Sequence, residues 1–183
     1  MSPVSIPKRS FLAGICIAAA GTGAPVALAD TPPAKGEIVL EELTFVYVDT
    51  LPLGILRGVA RDRASRGERL TCSDLRQCDD LSLQGVSVDL DGDGSNEWFV
   101  TDLGFTGTGA ELDYIFQKDA KNHWKAIGRI EGLHLTTVGR SKTSGFLDIH
   151  GYVAGACVEG PGKATWNGHQ YGGHSGPTKA RPC

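Results

Sequence analysis

Apolar and polar positions follow two different periods along this chain. From 53 to 66 they repeat at helical spacing: Ile55 and Val59 fall four apart, as do Leu56 and Ala60, which gives one apolar face. Arg57, Arg61, Asp62 and Arg63 are expected largely off that face, as a basic cluster read as a solvated face, with a partner surface as the less favoured reading, and Gly67 is a natural stop. Beyond a polar loop at 71–80 the period falls to two and short strands are expected. They span 84–89, 97–103, 110–118, 123–131, 133–138 and 146–153, with a turn at 119–122 between the fourth and the third. A last small hairpin, 163–171, turns on Trp166-Asn167-Gly168-His169, because Asn-Gly suits a two-residue hairpin turn. The segment 37–49 is ambiguous. Leu43, Phe45 and Tyr47 alternate as in a strand, a helix remains open, and Pro52 ends it either way. The expected fold is α+β: an N-terminal helix packed on an antiparallel, meander-like β-sheet with one calcium-binding loop.

The first residues read as an export leader. Lys8-Arg9 gives a positive start, 11–20 is an apolar run, and Ala27-Leu28-Ala29 is a small-residue cleavage site. The run is too short to span a bilayer, which takes about 20 residues. The expected division is a signal peptide at 1–29 and a single exported domain at 30–183. Ile15 stands where a lipoprotein needs a small residue before Cys16. Lys8-Arg9-Ser10-Phe11-Leu12 is similar to the twin-arginine export signature with Lys for the first Arg, so the general and twin-arginine routes both stay open. The expected location is periplasmic or secreted, with no membrane attachment of the mature form.

Cleavage would remove Cys16, Lys8 and Arg9. Four cysteines remain, an even number that reads as two disulfides in an oxidising compartment. The short spacing favours Cys72 with Cys78, which leaves Cys157 with Cys183; an intermolecular bond from Cys183 is the alternative. Five residues separate Cys72 from Cys78, more than a zinc site prefers. The formal net charge moves from −3 to −5, with 16 basic against 21 acidic residues. No basic run is interleaved with aromatics, which disfavours a nucleic-acid partner. A monomer is expected.

The sharpest local signal is Asp89-Leu90-Asp91-Gly92-Asp93-Gly94-Ser95-Asn96-Glu97. Asp89, Asp91, Asp93 and Glu97 fall at relative positions 1, 3, 5 and 9, and Ser95 at position 7 can offer its backbone carbonyl. Gly94 provides the sharp turn at position 6. Calcium takes six to eight oxygens in a flexible shell and suits this set. Two carboxylates about 5 Å apart repel by roughly 3 kcal/mol at an effective dielectric near 20. Four of them converging without a cation would be costly. The loop is no EF-hand, since position 12 is Val100 and a strand precedes it. It occurs once, not in the series a propeller would need.

From Asp89 to Tyr171 the order is an Asp-x-Asp-Gly-Asp-Gly-x-x-Glu loop entering a strand, a Gly-rich turn at 104–109, a hairpin ending near a Trp, and a closing Trp-Asn-Gly-x-x-Tyr unit. This resembles small exported bacterial proteins whose calcium loop is similar to that of FG-GAP and VCBS-type repeats. The resemblance implies a calcium-braced, mostly β fold outside the cytoplasm and little about activity. A Cys pair around the Gly-rich turn is frequent in that group; Thr106 and Ala110 or Glu111 stand near those positions here.

Catalytic patterns are sparse. Gly173-His174-Ser175-Gly176-Pro177 approaches a nucleophile motif but ends in Pro and lies in the tail. His123, His134, His150, His169 and His174 are scattered, with a metal site from His150, His169 and His174 as the less favoured reading. Glu111, Asp113 and Asp148 could supply an acid pair for glycoside chemistry. Two functions follow. The favoured one is a non-catalytic exported binding or accessory protein, such as an inhibitor or immunity-like partner of another exported protein. The alternative is a small secreted hydrolase.

Overall fold

The computed structural model describes residues 38–104, 112–154, 158–175 and 179–180, all within the unit Pro33–Cys183. Its elements in chain order are β1 (Ile38–Val39), β2 (Val46–Tyr47), α1 (Leu53–Ser65), β3 (Leu83–Val88), β4 (Glu97–Asp102), β5 (Leu112–Lys118), β6 (Trp124–Glu131), β7 (His134–Thr143), β8 (Phe146–Ala154), β9 (Val158–Trp166), β10 (Tyr171–Ser175) and β11 (Lys179–Ala180). Two 3₁₀ turns, Leu40–Glu42 and Leu75–Gln77, complete the set.

The expected α+β meander is not what forms. The fold is mostly β, a single sheet curled into a half-barrel, with one α-helix among the described residues. Strand order is β1-β7-β8-β9-β10-β6-β5-β4-β3-β2, with β11 beside β9. Two features break the meander. β1 adds to β7 instead of to its sequence neighbours. β10 inserts beside β6 in parallel, with Tyr171 opposite Gly128.

The curl gives the sheet a core of its own. Val86, Phe99, Ile115, Ile130, Val138, Ile149 and Tyr171, drawn from strands across the sheet, pack in one cluster. α1 covers the opposite face, where Ile55, Leu56 and Val59 meet Leu83, Val100, Leu112, Tyr114 and Phe116, with Trp124 of β6 packed beside them. The helix lies close: a Cβ on Gly58 would come within 2.6 Å of the Phe116 ring. Both faces of β4 and β5 are thus covered, and Leu112 to Phe116 are all buried. Strands buried on both faces read as apolar runs, not as a clean alternation.

Arg63 departs from expectation. It stands four residues after Val59 and is buried with the apolar stripe, not on a solvated face. Its Nε donates to Asp102 Oδ2 at 2.9 Å, Nη2 pairs with Asp102 Oδ1, and Nη1 donates to the Asp80 carbonyl at 2.7 Å. Gly104 N completes Asp102 Oδ1 at 3.1 Å. A fork of this kind matches a carboxylate at two points. Beside it Asp62 accepts from the Tyr114 hydroxyl at 2.7 Å and pairs with Arg66 at 3.2 Å and Arg129 at 3.3 Å. Burial, followed by the Asp62 hydrogen bond, pushes the Tyr114 phenol above its ordinary range.

The Cys72–Cys78 disulfide forms, with Cα atoms 5.2 Å apart, and clips the loop between α1 and β3. Cys157, Cys183 and the Gly-rich residues 105–109 lie outside the described residues, as does the leader.

Candidate metal site

The loop 89–96 joins β3 to β4, whose register runs from Leu83 opposite Asp102 to Val88 opposite Glu97. Its shape is set by its own side chains. Asp89 accepts from Gly92 N at 2.6 Å and Gly94 N at 3.1 Å, Asp91 from Asp93 N at 3.0 Å, and Asp93 from Ser95 N at 2.7 Å. Gly92 and Gly94 have φ of +83° and +86°, a region L side chains rarely adopt.

Asp89, Asp91 and Glu97 each offer an oxygen, all within 4.8 Å of one another. Asp93 and Ser95 stand on the exposed turn and are not in that trio. Glu97 opens β4 and is only 1 % exposed. Its Oε2 accepts from Leu90 N at 2.8 Å, and Asp91 Oδ2 accepts from Gln117 Nε2 at 3.0 Å. Burial first, then the charges of Asp91 and Asp93, raise the Glu97 carboxyl above its ordinary range; the Leu90 N–H and Gln117 oppose this.

Three carboxylates this close repel one another, and one of them is out of water, so each has reason to hold a cation. The donors are oxygens only, with no thiolate or imidazole among them. That chemistry fits a hard divalent cation and excludes the softer metals as preferred guests. Asp89, Asp91 and Glu97 would hold it.

Sequence reasoning missed the groups behind the loop. Gln117 comes from β5, and Lys142 from β7 donates its Nζ to the Asp91 carbonyl. Leu147 N at the start of β8 donates to the Leu90 carbonyl at 2.7 Å. The loop is therefore tied to strands far along the chain. An amide at 117, directly after the apolar run of β5, is the one local hint.

Several of the other candidate groups are engaged elsewhere. Asp113 accepts from Thr101 Oγ1 at 2.8 Å. Asp148 accepts from Thr143 at 2.6 Å and pairs with Lys163 at 2.8 Å. His123 is exposed, 3.6 Å from Asp119, and His134 lies against the Tyr152 ring at 4.8 Å between centroids. No histidine enters a metal-type cluster among the described residues; the other such group, Cys72, Cys78 and Asp80, has its two thiols joined as the disulfide. Glu111, Gly176, Pro177 and the His174 side chain lie outside what is described. Among the described residues no helix is long and apolar enough to cross a membrane.

Comparison of the chain with family models, with curated proteins and with solved structures finds no match. The likeness to FG-GAP and VCBS-type loops therefore stands on the loop itself.

Proposed function

We propose that this is a calcium-braced binding protein that works outside the cytoplasm, holding another exported protein as an accessory, inhibitor or immunity-like partner. The observation that supports it most is the convergence of Asp89, Asp91 and Glu97, with Glu97 buried at the base of β4. Calcium at millimolar levels is an extracellular resource, and extracellular modules bind it with dissociation constants of about 10⁻⁴–10⁻³ M. The disulfide is compatible with the same compartment. Asp113 and Asp148, the carboxylates best placed in sequence for acid–base work, hold neighbouring side chains, which favours binding over turnover.

The cation is read as a brace. The loop connects β3 to β4 and bonds to β5, β7 and β8, so fixing it fixes pairings on both sides of the sheet. At about 10 mM calcium and a dissociation constant near ~10⁻⁴ M, linkage adds about 2.7 kcal/mol. For a domain of this size the melting temperature should rise by roughly 5–10 °C. Magnesium should substitute poorly, because it needs six close oxygens at fixed angles. Thermal melts of wild type and Asp91→Ala in calcium, magnesium and chelator test this. Identical wild-type curves in calcium and chelator, in protein shown to be metal-free, would remove the cation from the account. Affinity capture from a periplasmic extract with calcium present then tests the binding role. Turnover on an ester, peptide and glycoside panel, abolished by replacing one histidine, would replace binding with catalysis.

A further inference from the structure

We propose that the groove between α1 and the β5–β6 hairpin is the docking site, and that its occupant is a short acidic segment of the partner protein. This deepens the binding function proposed above and depends on it. The groove has a volume of about 950 Å³ and is lined by Arg57 and Arg61 of α1, by Trp124 and Lys125 of β6, and by His123 just before β6. No carboxylate lines it.

Arginines elsewhere on this side of the molecule are committed. Arg63 is forked onto Asp102, while Arg66 and Arg129 are paired with Asp62. Arg57, Arg61 and Lys125 have no carboxylate partner among the described residues. Arg61 Nε donates only to the Arg57 carbonyl, at 3.2 Å. Arg57 and Arg61 are one helical turn apart, a spacing at which like charges destabilise a helix slightly. The fold thus keeps unneutralised cations along a groove in a chain with more acids than bases, 21 against 18.

The groove's walls define the guest further. Ala60 and Ala64 give the helix side little bulk, which leaves room for side chains. Trp124 packs against α1 so closely that a Cβ on Gly54 would come within 2.9 Å of its indole. Lys118 Nζ lies 5.1 Å from the Trp124 ring centroid. A surface with an aromatic wall and cations suits an acidic peptide carrying an apolar or aromatic anchor. A long polyanion or an anionic membrane would also face the net negative charge of the rest of the chain. A short segment meets only the groove.

The test uses the calcium-loaded mature chain and three probes: a fluorescently labelled peptide of Asp, Glu and Phe, a labelled DNA duplex, and phosphatidylglycerol vesicles. The peptide should bind, more weakly as salt is raised, and Arg57→Glu/Arg61→Glu should weaken it about tenfold or more. Single Arg61→Glu should lose part of that, and Arg69→Glu, an exposed charge reversal that does not line the groove, should lose none. Melting curves of all variants check that the fold is kept. Equal binding by wild type and the double reversal, an equal loss in Arg69→Glu, or binding of duplex or vesicles in place of the peptide would overturn the site. Partner capture separates this from the wider function. A protein captured by wild type and the double reversal alike removes the groove and leaves the binding role standing. No protein captured by either, at any calcium level, removes both.

Discussion

Asp102 and Glu97 stand at the two ends of β4, each 1 % exposed, and they meet burial in opposite ways. Asp102 receives a guanidinium fork from Arg63 and an N–H from Gly104. Glu97 receives the Leu90 N–H and faces two further carboxylates, Asp89 and Asp91. Taking a carboxylate out of water costs several kcal/mol unless a counter-charge comes with it. At one end of the strand the chain supplies that charge. At the other it assembles more of the same sign, and under the function proposed above the counter-charge comes from solution. On that reading one end of β4 carries its own counter-charge, and the other is expected to respond to the ions present.

The largest effect should come from breaking the self-contained end. Arg63→Met leaves Asp102 buried with no cation and should cost about 3–5 kcal/mol in urea denaturation. Arg63→Met/Asp102→Leu should recover most of it, since replacing a buried pair by apolar groups is often nearly neutral. A single variant as stable as wild type would mean that Asp102 finds water or another partner in solution.

The next effect comes from the other end. Glu97→Gln keeps the shape and the bond from Leu90 N but removes the buried charge. In chelator it should be at least as stable as wild type, because repulsion with Asp91 is relieved. In calcium the order should invert, wild type gaining about 2–3 kcal/mol that the variant lacks. Two melting curves that shift together with calcium would detach Glu97 from the cation.

How much of this could be read from the chain depends on distance along it. The loop was legible because its acids and turn glycines are contiguous, and so was the Cys72–Cys78 clip. Which acids converge was not, since Gln117 and Lys142 complete the site from strands β5 and β7. Arg63 carried a usable signal: Ile55, Val59 and Arg63 share a four-residue spacing, yet its charge argued for solvent. The fold misled for a related reason. Trp98-Phe99-Val100 and Tyr114-Ile115-Phe116 fall in strands expected of a meander-like sheet, and their unbroken apolar runs already indicate two covered faces. β9 and β10 pass through Gly160, Pro161 and Gly162 and then Gly172 and Gly173, residues with weak strand preference. Their pairing, including the parallel step onto β6, is decided by tertiary contact.

The smallest effect is also the one whose sign separates the two ends most clearly. The Glu97 carboxyl is raised above its ordinary value of 4.5 in the calcium-free fold, mainly by burial. The folded chain then keeps a proton that the unfolded chain has released. Its contribution is fully present below 4.5 and is lost as pH rises through the folded value, so calcium-free stability should fall with pH in that window. Bound calcium competes with that proton, so in its presence stability should rise across the same window. Asp80 and Asp119 are lowered by their hydrogen bonds to Thr71 and His123, and pull toward greater stability at higher pH. They act equally in wild type and Glu97→Gln, so the difference between the two proteins isolates Glu97. Urea denaturation of both from about pH 4 to about pH 7 should show a difference that slopes one way in chelator and the other in calcium. A flat difference, or one sloping the same way in both buffers, would make Glu97 an ordinary buried acid and leave β4 without an ion-dependent end.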